Sequence, residues 1–160
     1  MGKANTKKHG QYCTYIVARY KKAGNWGGEY KKNVAEGSFT KELCEKLDEI
    51  LTERPAVGTG GHDRAEGDEQ QQSNNYNNEA EFAENGLEAH NSFRSIHGSV
   101  GLKLDRKLTE DAEMYAKELS KMESLRHAQL QDVGENLAYG CSAEKGYELS
   151  AAEATKKWWD

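Results

Sequence analysis

His127 and Glu135 are the side chains in this chain whose types and spacing could do chemistry. They lie in the stretch from Leu125-Arg126-His127 to Gly134-Glu135-Asn136-Leu137-Ala138-Tyr139-Gly140, where a histidine and a short polar loop lead to a glutamate framed by glycine, asparagine and apolar residues. An imidazole and a carboxylate brought together by a loop can share a proton or hold a metal ion. Two such groups alone define neither function, because a zinc site usually needs at least three protein ligands. No serine or cysteine nucleophile with an adjacent base stands beside them, and Cys141 follows a glycine without a recognisable partner. Covalent catalysis is therefore not spelled out, and no residue is assigned a catalytic role.

The elements that must position this pair are drawn from a chain of 160 residues, of which 36% are hydrophobic and 31% charged. The net charge of −5 and the lack of a basic stripe interleaved with aromatics leave little for a phosphate backbone to hold, so nucleic acid is excluded as a partner. No apolar run approaches the length of a membrane span, and the first residues lack the apolar centre of a secretory signal. Cys13, Cys44 and Cys141 are odd in number, far apart and without metal-knuckle spacing. They are expected as reduced thiols. Met1-Gly2-Lys3-Ala4-Asn5-Thr6 fits the N-myristoylation pattern at Gly2, and Lys3, Lys7 and Lys8 would assist on an anionic surface.

From Gln11 to Tyr20 the chain is rich in β-branched and aromatic residues and reads as a strand with no clean hairpin partner nearby. Glycine and asparagine at 23–25 and 27–28 stop it. Residues 36–56 read as an amphipathic helix, with Thr40 as N-cap and Leu43, Leu47, Ile50 and Leu51 on one face. Residues 57–78, with Gln70-Gln71-Gln72-Ser73-Asn74-Asn75 among them, are too polar to offset the entropy of ordering and read as a disordered linker. Helices then follow on the faces Phe82, Ala89, Phe93 and Ile96, capped by Gly98; Ala112, Tyr115, Ala116 and Leu119, with Thr109 as N-cap; and Tyr147, Ala151, Ala154 and Trp158.

Five signatures in order, from Ala89-His90-Asn91-Ser92-Phe93-Arg94 with His97-Gly98, through Leu102-Lys103-Leu104, Leu125-Arg126-His127 and Gly134-Glu135-Asn136-Leu137-Ala138, to Lys157-Trp158-Trp159, resemble the front half of the CAP superfamily. That superfamily includes cysteine-rich secretory proteins, venom allergens and plant pathogenesis-related proteins; the nearest resemblance is to its Golgi-associated, cysteine-poor branch. Gly2-Lys3-Ala4, Val17-Ala18-Arg19-Tyr20 and Ala23-Gly24-Asn25 resemble the last strands of the same domain. The order is thus inverted. It implies a fragment of a tandem CAP protein: residues 1–35 as the end of one CAP domain, 36–56 as a helix, 57–78 as linker and 79–160 as the first half of a second. In the family a Gly-Lys-Ala run also occurs inside the domain, which makes Met1 readable as an internal residue.

The resemblance implies an α+β fold, a partial α-β-α sandwich with an N-terminal strand segment and a C-terminal helical half. It also implies a cavity set of two histidines and two glutamates, of which His127 and Glu135 match the first of each; the others fall outside this chain. In some members the set binds zinc, so His127 is the metal-ligand candidate and zinc the cofactor of an intact parent. His90 and His97 match first-helix positions that serve packing and hydrogen bonding. The implied function is non-enzymatic binding of a lipid, sterol, membrane surface or protein partner; the alternative is a zinc-dependent, protease-like hydrolase in the intact parent. The implied location is extracellular, or peripheral on a Golgi or cytoplasmic membrane. A further arrangement is open to the fragment, because the linker is long enough for the N-terminal strand to fold back on the C-terminal half as a permuted domain. Without that pairing, the exposed strand edge favours a homodimer.

Overall fold

The computed structural model describes residues 1–21 and 68–159. The helix expected over 36–56, Cys44 and the turns expected at 23–28 lie outside the described residues, as does residue 57–67 of the linker.

A hairpin opens the fold. Strands β1 (Gly2–Lys8) and β2 (Gln11–Lys21) are joined by His9 and Gly10, both at positive φ (46° and 79°), the conformation that matches a two-residue turn to the twist of its strands. The partner that β2 was expected to lack is thus its immediate neighbour. β1 gives little apolar signal because it is an edge strand whose lysines, Lys3, Lys7 and Lys8, discourage further pairing.

β2 is central, and its other neighbour is β3 (Val133–Ser142), antiparallel from Tyr12 opposite Ser142 to Lys21 opposite Val133. The N-terminal strand therefore folds back and joins the C-terminal half in one sheet. Both faces of that sheet are covered. On one side Ile16, Ala18 and Ala138 pack with Phe82 of α1 (Asp68–Ile96) and Ala151 and Ala154 of α3 (Ala151–Trp159). On the other, Cys13, Tyr15 and Val17 pack with Ala112, Ala116 and Leu119 of α2 (Arg106–Met122). This is the α+β arrangement expected, helices on either side of an antiparallel sheet. It explains why residues 13–18 are buried without a polar alternation. Ile16 and Val17 are wholly buried, each contributing about 1.5–3 kcal/mol of apolar burial.

Local details differ from the periodicity. α1 begins at Asp68, so its first turns occupy part of the segment read as linker; that stretch holds no proline, and its Glu and Gln residues are good helix formers. α2 is capped by Asp105, whose carboxylate accepts from the Leu108 amide at 3.1 Å, not by Thr109, which lies within the first turn. An extended Asp at the boundary satisfies an orphan amide that Thr109 cannot reach. Tyr147 precedes α3. That helix starts behind a reciprocal cap, with the Ser150 amide donating to Glu153 at 2.9 Å and the Glu153 amide to the Ser150 hydroxyl at 3.2 Å.

Two of the three cysteines are not reduced. Cys13 and Cys141 face each other across β2 and β3 with Cα atoms 4.1 Å apart and form a disulfide. Spacing along the chain hid the pair, because the strand register brings together residues 128 positions apart.

Candidate functional site

After α2 ends at Met122, with its cap residue Glu123 in the left-handed region at φ 54°, the chain runs through His127 into β3. β3 turns Glu135 inward until its side chain is only 4% exposed, while His127 remains 68% exposed. The structure brings the pair together: His127 Nδ1 lies 3.2 Å from Glu135 Oε1, which also accepts the Ala128 amide at 2.9 Å.

A third residue completes the arrangement. Arg19 stands directly opposite Glu135 on β2 and donates from Nε to Oε2 at 3.1 Å. Its Nη1 donates to the Asp111 carbonyl at 3.1 Å, and the guanidinium lies 5.0 Å from the centre of the Tyr115 ring. Tyr115 is held in turn by donating its hydroxyl to the Arg126 carbonyl at 2.8 Å. Arg19 appeared in the sequence only as part of a strand. An arginine at the end of an apolar strand run is the signal that could have found it, because a buried charge requires a counter-charge.

Zinc does not fit the donors present. Both Glu135 oxygens are engaged, one of them by a fixed cation, and among the described residues no group of three or more His, Cys, Asp or Glu side chains could hold a metal ion. His90 and His97 lie elsewhere, and His97 packs its ring 4.6 Å from Trp159.

A pocket of about 390 Å³ lies at the seam between the hairpin and the rest of the chain. Met1, Ala18 and Tyr20 contribute from one side and Leu87, His90 and Leu102 from the other. Its wall contains a polar chain. His90 Nδ1 donates to the Gly86 carbonyl at 2.7 Å, which leaves Nε2 to accept from the Tyr20 hydroxyl at 2.7 Å. Asn136 also donates to the Tyr20 oxygen, at 3.3 Å. Burial pushes the His90 imidazole below its ordinary value and the Tyr20 phenol above its own, so both stay neutral. Asn91 fixes the outer wall, accepting the Leu102 amide at 2.6 Å and donating to the Leu102 carbonyl at 3.1 Å. At the rim Lys21 pairs with Asp105.

Gly2 lies in β1 against α2, so close that a Cβ there would come within 2.3 Å of the Glu113 backbone nitrogen. Among the described residues no helix is long and apolar enough to cross a membrane.

Residues 87–160 match the profile of the Cysteine-rich secretory protein family, CAP. No curated protein and no solved structure matches the chain.

Proposed function

With residues 87–160 as a CAP-family segment, we propose that the chain is a non-enzymatic CAP/SCP-type module that binds a lipid or sterol-like molecule in the pocket at its seam. The observation that carries this reading is the pocket itself: apolar side chains and two neutral polar groups, Tyr20 and His90, with the charged side chains Arg19, Lys21, Lys103 and Asp105 also lining it, in a volume typical of small-molecule sites. At the rim Lys103 suits a ligand with an acidic or hydroxylated head, Lys21 being paired with Asp105. The pairing of Glu135 with Arg19 supports binding over turnover, because the carboxylate of the His127 pair is held by a cation and contacts no nucleophile among the described residues.

In this reading residues 1–35 are the end of one CAP domain and 79–160 the first half of another, and the shared sheet is the tail of the first completing the head of the second. The Cys13–Cys141 disulfide supports an oxidising, extracellular setting over the cytoplasmic face of a membrane.

The test is equilibrium binding of a fluorescent fatty acid and a fluorescent sterol to the full chain. Saturable binding that unlabelled ligand displaces, and that Leu87→Trp abolishes by filling the pocket, supports the reading. Absence of saturable binding to either probe, with the protein folded, overturns it and leaves a protein partner as the ligand class to pursue.

A further inference from the structure

The identity of the cation held by Glu135 decides what the His127–Glu135 pair can bind. A carboxylate that is 4% exposed needs a counter-charge, and Arg19 supplies it from directly across the ladder, with its own side chain 10% exposed. Arg19 is held by three contacts: Glu135 Oε2, the Asp111 carbonyl and the face of Tyr115. The other carboxylate oxygen accepts the Ala128 amide and faces His127. A divalent ion bridging His127 and Glu135 would have to break into this set and then sit beside a permanently charged guanidinium that cannot withdraw.

We infer that Arg19 occupies the cation position of the His127–Glu135 site and is the residue that sets its specificity against divalent metal ions. A geometric consequence follows. The excluding residue comes from the N-terminal hairpin, so the site's ligand preference depends on the seam between the two ends of the chain. Arg19 also lines the pocket, but the pocket's His90 and Leu87 make no contact with the His127–Glu135 pair, so the two sites are tested separately.

The experiment is calorimetric titration of Zn²⁺ alone into the full chain, with the ¹⁵N shifts of the His127 imidazole as the site-specific reading. Arg19→Gln keeps a donor toward Glu135 and removes the charge, and is expected to bind Zn²⁺ roughly tenfold or more tightly than the unaltered protein. Adding His127→Ala abolishes the gain, and Arg19→Lys, which keeps a cation, shows none. Equal affinity of Arg19→Gln and the unaltered protein overturns the inference, as does tight binding by the unaltered protein that shifts His127. If Arg19→Gln does not fold, Arg19→Met carries the same test by removing the charge without adding a metal-binding imidazole or carboxylate, and affinity no higher than that of the unaltered protein then overturns it.

Discussion

Cys13 of β2 and Cys141 of β3 stand directly opposite one another and close a disulfide between the N-terminal hairpin and the strand that bears Glu135. The closed loop spans nearly the whole chain, so the bridge restricts the unfolded state strongly; removing it is expected to cost about 2–5 kcal/mol. Thermal unfolding of the Cys13→Ser variant, or of the native chain under a dithiol, checks this. An unchanged melting temperature together with a free Cys141 thiol in the native chain contradicts it.

Burial of His90 predicts a pH dependence. Its folded-state value lies below the ordinary 6.5, so the unfolded chain binds the extra proton first as the solution is acidified. The contribution of neutral His90 is thus complete above pH 6.5 and is lost as pH falls through the lower folded-state value. Stability measured on either side of that window should decline toward acid, and His90→Gln should flatten the decline. An equal slope in the variant would remove His90 as its cause.

Glu135 and His127 should separate in their effects. Glu135→Ala leaves Arg19 as a buried, unpaired charge and is expected to cost about 3–5 kcal/mol. His127→Ala, at an exposed position, should cost less than about 1 kcal/mol. Denaturant unfolding of the two variants decides, and equal losses would mean that the Arg19 pairing is not what holds Glu135.

Gly2→Ala inserts a methyl group where β1 meets the backbone of α2, and overpacking of this kind typically costs about 1–3 kcal/mol. That loss bears on the myristoylation pattern at Gly2. Weaker membrane association of Gly2→Ala does not by itself report a missing acyl chain, whereas the intact mass of the cellular protein does. A variant as stable as the native chain would mean that β1 does not approach α2 as described.

The helical faces were legible because a period near 3.6 places Phe82, Ala89 and Phe93, then Ala112, Ala116 and Leu119, then Ala151 and Ala154 on single stripes, and all of these are buried. That His127 and Glu135 could be brought together by the loop between them was legible from their types and spacing, and the two lie within hydrogen-bonding distance. What escaped was long-range or polar. β1 is too rich in lysine for its residue pattern to show a strand, which only the resemblance at Gly2-Lys3-Ala4 suggested, the Asp105 cap carries no periodic signal, and both the Cys13–Cys141 bridge and the Arg19–Glu135 pair depend on a register between segments far apart in sequence. Only the fold-back of the N-terminal strand makes these contacts visible.

That fold-back is the central claim, since the pocket, the disulfide and the Arg19 pairing all lie on the seam it creates. Amide hydrogen exchange at Ile16 and Val17 tests it most directly, because β2 has a partner strand on each side there. The account predicts protection in the full chain that rises to the level of global unfolding and is matched at Leu137 and Ala138. Exchange at Ile16 and Val17 as fast as in an unfolded peptide, with α2 still protected, would contradict it.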